Sequence, residues 1–133
     1  RALVELLVAR LETIPELTIY GITDPARAAE RCPTVAFTLE GHSPAAVARA
    51  LGERGIYVRN GNHYAYELHL ALGLEATGGT VRASLGHYNT PAEIERLGDG
   101  VAGIAVHVGA RVAAAAGTGS MRTTRPMRAT ASL

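Results

Sequence analysis

The sequence predicts an α+β domain in which helices pack on one face of a small, mostly antiparallel sheet of about four strands. Two observations lead to this prediction. Short segments in which apolar and polar side chains alternate, a pattern typical of half-buried strands, recur between segments with helical spacing. The predicted elements follow the order α-β-β-α-β-α-β-α, and the alternation leaves one sheet face apolar and the other polar.

The first predicted elements precede residue 42. Residues 1–14 have apolar side chains at helical spacing, and Pro15 ends this helix. Residues 17–21 form a short apolar segment that ends at a glycine, which predicts the first strand. Residues 34–41 alternate apolar with small polar side chains, which predicts a second strand with one buried face.

Capping residues delimit the central elements. Ser43 is a favourable N-cap, Pro44 suits the first helical position, and Gly55 closes the second helix. Residues 56–61 predict the third strand. Residues 64–73, which end at another glycine, predict a short third helix.

The last two elements are a strand over residues 79–86 and a helix that opens with a capping box from Thr90 to Glu93. The strand alternates, with Val81, Ala83 and Leu85 on one face and Thr80, Arg82 and Ser84 on the other. Three glycines lower the helix propensity in the second half of the helix: Gly98, Gly100 and Gly103.

A shift in composition predicts the domain boundary. From residue 108 the chain is rich in Ala, Gly, Thr, Ser and Arg and lacks an apolar period. Residues 1–107 are therefore predicted to form one domain, and residues 108–133 a disordered tail. The chain begins with Arg inside an apolar periodic segment, which leads us to expect a piece of a longer protein.

The charge distribution argues against a nucleic-acid partner. The formal net charge of the 133 residues is +1, but residues 1–111 hold ten basic and twelve acidic side chains and the remainder carries +3. A mildly acidic body is a poor binder of nucleic acid. No apolar stretch reaches the length that spans a membrane, so no membrane partner is expected.

Two residue types limit the chemistry of the chain. All thirteen basic residues are Arg, so no side chain can form a Schiff base with a carbonyl group. Cys32 is the only cysteine, which excludes an internal disulfide and favours a cytoplasmic location.

Three motifs together resemble the small C-terminal domain of class V aminotransferases, and most closely the cysteine-desulfurase-like branch. The motifs are "PTVAFTLEG", "SPAAVARALGERGIYVRNGNHY" and "TVRASLGHYNTPAEIERL". The resemblance covers roughly residues 1–105. It implies a fold-type-I pyridoxal-phosphate enzyme that acts on an amino acid and is usually a homodimer.

The resemblance also implies a division of labour between two domains. In the family, an N-terminal large domain supplies the cofactor-binding Lys and most cofactor contacts, and the small domain supplies the substrate end of the site. No cofactor and no activity are therefore expected for this chain alone. A larger parent chain is expected to bind pyridoxal phosphate.

The resemblance assigns a substrate-binding role to Arg82, whose family counterpart holds the substrate carboxylate. Asn62, His63 and Tyr64 match the active-site loop, and Tyr64 occupies the position of the desulfurase nucleophile, a Cys. A phenol forms no persulfide, and Cys32 precedes a different strand. Transamination, elimination and racemisation need no such thiol and remain open. We expect the loop and Arg82 to lie on the same side of the domain.

Each of these residues also has an ordinary structural interpretation. Arg82 could be a solvated side chain on an open sheet face, and His63 a loop histidine bonded to backbone. Tyr64 and Tyr66 could cover a domain edge. His63 and His69 lack the spacing of a helical metal pair, and no Cys or carboxylate cluster joins them, so no metal site is predicted.

A second function remains open, namely a stand-alone α+β module that binds a small ligand or regulates another protein. The two interpretations differ in their surfaces. A domain that packs against a larger one should expose apolar side chains on its first helix or nearby, whereas a self-contained module should cover them.

Overall fold

The computed structural model describes the backbone of residues 1–117 and the side chains of residues 1–106. Within that range, four strands form one antiparallel sheet in the order β1-β2-β4-β3. The strands are β1 (Leu17–Tyr20), β2 (Thr34–Leu39), β3 (Arg59–Gly61) and β4 (Thr80–Ser84). The α-helices are α1 (Ala2–Glu12), α2 (Pro44–Gly52), α3 (Tyr66–Ala71) and α4 (Pro91–Gly117), and 3₁₀ helices span Pro25–Glu30 and Glu75–Thr77. The predicted α+β class is confirmed.

The sheet register explains why alternation predicted the strands. Phe37 of β2 pairs with Ile19 of β1 and with Val81 of β4, so one apolar row crosses three strands. Helices α1, α2 and α4 pack on this face. The buried core holds Val4, Leu7, Leu11, Val35, Phe37, Leu39, Val47, Leu51, Val81, Ile94 and Val101.

Local hydrogen bonds start α2 and α4 where the sequence predicts. The Ser43 hydroxyl accepts a hydrogen bond from the backbone N–H of Ala46 at 3.2 Å. The Glu93 carboxylate accepts from the backbone N–H of Thr90 at 2.7 Å, and the Thr90 hydroxyl accepts from the N–H of Glu93 at 3.4 Å. The hydrogen bond from the Thr90 backbone, with those from the Asn89 and Thr90 side chains, lowers the pKa of Glu93. Both caps are confirmed.

Helix α4 differs from the expectation in two respects. The glycines predicted to weaken it do not interrupt it, because they lie where other elements approach closely. A side chain at Gly100 would contact Leu51 at 2.9 Å and Ile56 at 3.1 Å. The helix also continues to Gly117, so residues 108–117 of the predicted tail are helical. The rest of the predicted tail lies outside the described residues.

The third strand is shorter than predicted. It begins at Arg59, and the preceding Ile56 and Val58 pack on the core without pairing as strand residues. Among the described residues, no helix combines the length and the apolar character needed to cross a bilayer.

Candidate functional site

The sheet face opposite the three packed helices has Arg82 at its centre. Arg82 lies in β4, directly opposite Ala36 of β2 on one side and Arg59 of β3 on the other. Two cationic residues directly opposite each other in a sheet repel. No carboxylate forms an ion pair with either guanidinium in the part of the chain that the structure describes.

Arg82 is half-buried, and its Nε atom is buried without a hydrogen-bond partner among the described residues. A buried N–H that lacks a partner is costly, because it has lost its water and gained nothing. A guanidinium in this state would gain from an incoming carboxylate, which can accept two parallel hydrogen bonds.

The predicted active-site loop follows β3 and has unusual backbone geometry. His63 and Tyr64 have φ angles of 54° and 63°, in the left-handed region that non-glycine residues rarely adopt. Such conformations cost on the order of 1–3 kcal/mol each and concentrate at functional sites. Asn62 supports the turn, because its side-chain oxygen accepts from the backbone N–H of Tyr64 at 3.2 Å and its carbonyl accepts from Ala65 at 2.8 Å.

Two contacts fix the start of the loop to the segment that precedes β4. The side-chain amide of Asn62 donates to the Glu75 carboxylate at 3.3 Å. Gly79 lies so close to Gly61 that an added Cβ would overlap the Gly61 carbonyl group, and both residues have positive φ angles. Glycine is therefore required where the loop meets β4.

Two histidines converge on one hydroxyl group beside the loop. The Nε2 atoms of His63 and His69 lie 3.2 Å and 3.4 Å from the Thr80 Oγ1, and their ring centroids are 6.0 Å apart. Thr80 is only 2% exposed and His69 only 6% exposed. Helix α3 thus covers one end of the otherwise open sheet face.

His63 shares its sheet face with Arg82. Thr80, its bonding partner, lies two residues before Arg82 in β4, and side chains two apart in a strand share a face. Burial lowers the pKa of His63, and the charges of Arg82, His69 and Arg59 lower it further, against a hydrogen bond with Thr80 that raises it. The imidazole of His63 is therefore predominantly neutral near pH 7.

The structure places the predicted site residues as follows. Arg82 and His63 lie on one face, as expected, and Asn62 supports the loop. Tyr64 is fully exposed, so its hydroxyl contacts none of the others. The hydrogen bond of His63 is made with the Thr80 side chain.

Three residues of the site were not predicted from the sequence as functional residues. Alternation placed Thr80 on the polar face but did not indicate that two imidazoles bury it. Arg59 precedes the loop, and only the β3–β4 register sets it opposite Arg82. The sequence spacing of His63 and His69 does not predict that their rings approach each other, because the approach depends on the left-handed turn between them.

The apolar surface lies on α3. On α1, Val4, Leu7, Val8 and Leu11 are buried, and the large exposed apolar side chains lie elsewhere. The helix that follows the loop exposes about half of each of four large apolar side chains: Tyr66, Leu68, Leu70 and Leu72. Several large exposed apolar side chains in one short segment are typical of a surface that contacts another domain or protein.

This arrangement can bind an anion and a hydrogen-bond donor side by side. Arg82 and Arg59 supply positive charge, and a neutral imidazole supplies an acceptor. No group of three potential metal ligands occurs in the described range. The chain has no Lys, so a carbonyl cofactor finds no side-chain amine here.

Comparison with known proteins identifies relatives of one kind. A probable cysteine desulfurase from Streptomyces coelicolor is 44% identical over 100 residues, which are 75% of this chain and 22% of the relative. A cysteine desulfurase from Synechococcus elongatus is 46% identical over 96 residues, which are 70% of this chain and 14% of the relative. The chain thus spans less than a quarter of the length of these curated relatives.

Solved structures agree with the sequence relatives. The apo cysteine desulfurase from Thermococcus onnurineus superposes with a TM-score of 0.71 and 29% identity, over 80% of this chain and 25% of that chain. The cysteine desulfurase CsdA from Escherichia coli gives a TM-score of 0.65, 28% identity and coverage of 80% and 24%. The sequence model of the aminotransferase class-V family matches residues 1–97. This chain belongs to the aminotransferase class-V family.

Proposed function

We propose that this chain is the C-terminal, substrate-side domain of a pyridoxal-phosphate-dependent class V enzyme of the cysteine-desulfurase-like branch, acting on an amino acid. The match to the family over residues 1–97 and the much longer relatives support a parent protein with a large N-terminal domain. The observation that carries the proposal is the buried, unpartnered Nε of Arg82 on the open sheet face.

The residues of this chain fit the substrate better than they fit the cofactor. Pyridoxal phosphate, when bound in the parent, supplies an electron sink for chemistry at the substrate α-carbon. Its covalent attachment needs an amine that this chain's side chains lack. We therefore assign the attachment to the large domain and assign no cofactor contact to the described residues. The resemblance further suggests a homodimeric, cytoplasmic parent.

Arg82 is proposed to bind the substrate carboxylate. The guanidinium fork matches a carboxylate in two hydrogen bonds, and partial burial removes competing water. Arg59, directly opposite on β3, adds a second positive charge to the same place. Repulsion between the two guanidiniums is relieved when an anion binds, so the site is better satisfied with its substrate than without it.

Tyr64 is proposed to occupy the position of the desulfurase nucleophile without being able to form a persulfide. A phenol attacks sulfur poorly and forms no persulfide, so a persulfide on this loop is not expected. The exposed hydroxyl can donate or accept a hydrogen bond. Transamination, elimination or racemisation of an amino acid is consistent with this replacement.

The surface of α3 favours the enzyme domain over a stand-alone module. Leu68, Leu70 and Leu72 are about half exposed on a helix that adjoins the proposed site. A self-contained binding module would cover such side chains, whereas a small domain would cover them against its large neighbour.

The test replaces Arg82 in the parent enzyme. Arg82→Ala should raise KM for the amino-acid substrate and lower kcat/KM by roughly tenfold to a hundredfold, because a charge-assisted hydrogen bond is lost. Arg82→Lys should recover only part of the loss, because an ammonium lacks the two-pronged geometry.

The control is Arg49→Ala, which removes an exposed Arg from α2 on the helical side of the sheet. This variant should match the unaltered enzyme. An Arg82→Ala enzyme with unchanged kcat/KM would exclude the proposed role of Arg82.

A further inference from the structure

The hydrogen bonds around Thr80 have only one consistent direction. The Nδ1 of His69 lies 3.0 Å from the Ala65 carbonyl oxygen. Because a carbonyl oxygen only accepts, Nδ1 carries a hydrogen, and Nε2 is an acceptor whenever the His69 ring holds a single hydrogen. The Thr80 hydroxyl must then donate its single hydrogen to His69 Nε2, at 3.4 Å.

This direction determines the tautomer of His63. With its hydrogen directed to His69, the Thr80 oxygen can only accept from His63 Nε2, at 3.2 Å. Neutral His63 therefore carries its hydrogen on Nε2 and a lone pair on Nδ1. That Nδ1 makes no side-chain hydrogen bond in the described part of the chain.

We propose that His63 is a specificity-determining residue whose Nδ1 accepts a hydrogen bond from the ammonium group of the amino-acid substrate, with Thr80 and His69 as positioning residues. The inference rests on the proposed function, because Arg82 must bind the carboxylate of the same molecule. In an α-amino acid the ammonium and carboxylate groups are attached to one carbon, so adjacent acceptor and guanidinium groups recognise both.

The surrounding charges keep this acceptor available. Arg82 and Arg59 on the neighbouring strands and His69 on α3 all oppose protonation of His63. A neutral imidazole with an open Nδ1 attracts a cationic donor, whereas an imidazolium would repel it.

The first test measures the tautomer of His63 by nitrogen NMR on the full chain. The unaltered chain should show the Nε2–H form in excess at neutral pH. Thr80→Val removes the hydroxyl at nearly constant shape and should cut that preference by about fivefold, the contribution of one neutral hydrogen bond.

Two further variants keep the tautomer test decisive. Thr80→Ser retains the hydroxyl and should restore the preference if Thr80→Val perturbs the fold. Thr34→Val removes a hydroxyl that contacts Ser84 at the other end of β4 and should have no effect. A predominantly Nδ1–H form in the unaltered chain would overturn the proposal.

The second test separates this proposal from the one on which it rests. L-alanine should shift the NMR signals of both Arg82 and His63 Nδ1, whereas N-acetyl-L-alanine, which lacks the ammonium group, should shift those of Arg82 alone. Alanine that perturbs Arg82 but leaves His63 unchanged would overturn the role of His63 only. If neither compound perturbs Arg82, the proposed carboxylate site fails as well.

Discussion

Gly79 shows how closely two backbone segments approach at the base of the active-site loop. A Cβ at this position would overlap the carbonyl group of Gly61, which belongs to the backbone of β3 and cannot rotate away. The positive φ of +85° adds a second reason for glycine. The loop geometry therefore depends on a residue that belongs to another element.

Replacement of Gly79 tests this close approach. Gly79→Ala should destabilise the domain by about 3 kcal/mol or more, from a left-handed penalty of about 1–2 kcal/mol and an overpacking term of about 1–3 kcal/mol. Gly73→Ala is the matched control, because Gly73 has a φ of +70° but open space around its Cα. Urea unfolding measures both variants, and equal losses would contradict the close approach.

The sequence located Arg82 and His63 correctly on one side of the domain because both predictions followed from chain order. Strand alternation sets the face of Arg82, and the loop must leave the end of the neighbouring strand. The bonds from His63 and His69 to Thr80 could not be predicted, because they depend on two consecutive left-handed residues. His adopts that conformation more often than most residues, but nothing in the sequence indicates it for Tyr64 or for two residues in succession.

The glycines of α4 illustrate how packing overrides propensity at the level of a helix. Gly98 and Gly100 lie under Arg10 of α1 and Leu51 of α2, so the absence of side chains lets two helices approach α4. From sequence alone, the same residues appear only as weak helix formers. The caps of α2 and α4 were predictable because each depends on bonds within four residues.

A pair of substitutions separates propensity from packing. Gly100→Ala should destabilise the domain by about 1–2 kcal/mol, because steric conflict with Leu51 and Ile56 exceeds the gain in helix propensity. Gly52→Ala should stabilise it by about 0.5 kcal/mol, because no atom lies within contact distance of the added methyl group. Thermal and urea unfolding measure the stability of the two variants. If both substitutions stabilise the domain, a methyl group fits at position 100 of α4 without steric conflict.

At the scale of the whole molecule, the pKa of His63 links folding to pH. Because folding lowers this pKa, the unfolded chain binds more protons than the folded one as pH falls through the ordinary value of about 6.5. The stability associated with neutral His63 is therefore complete above that pH and is lost on acidification. Glu30 and Glu93, whose pKa values are also lowered, act in the same direction but only below about pH 5.

The expected result is a decrease in the free energy of unfolding between about pH 7.5 and about pH 5. His63→Gln should flatten this dependence, because an amide does not titrate. Urea unfolding at several pH values measures it. If the unaltered chain and the His63→Gln variant lose the same stability as the pH falls, folding does not lower the pKa of His63.

The pairing of α1 with α4 also determines when the domain can form during its synthesis. Arg10 of α1 bonds to Glu95 and Asp99 of α4, and 89 residues separate Arg10 from Asp99. A nascent chain that has emerged from the ribosome only as far as β4 therefore holds α1 against β1 and β2 but without α4, which covers the rest of its apolar face. Exposed apolar helices of this kind are prone to aggregation and are substrates for chaperones, and contacts between distant residues fold late. The ribosome must therefore synthesise α4 before α1 can pack completely.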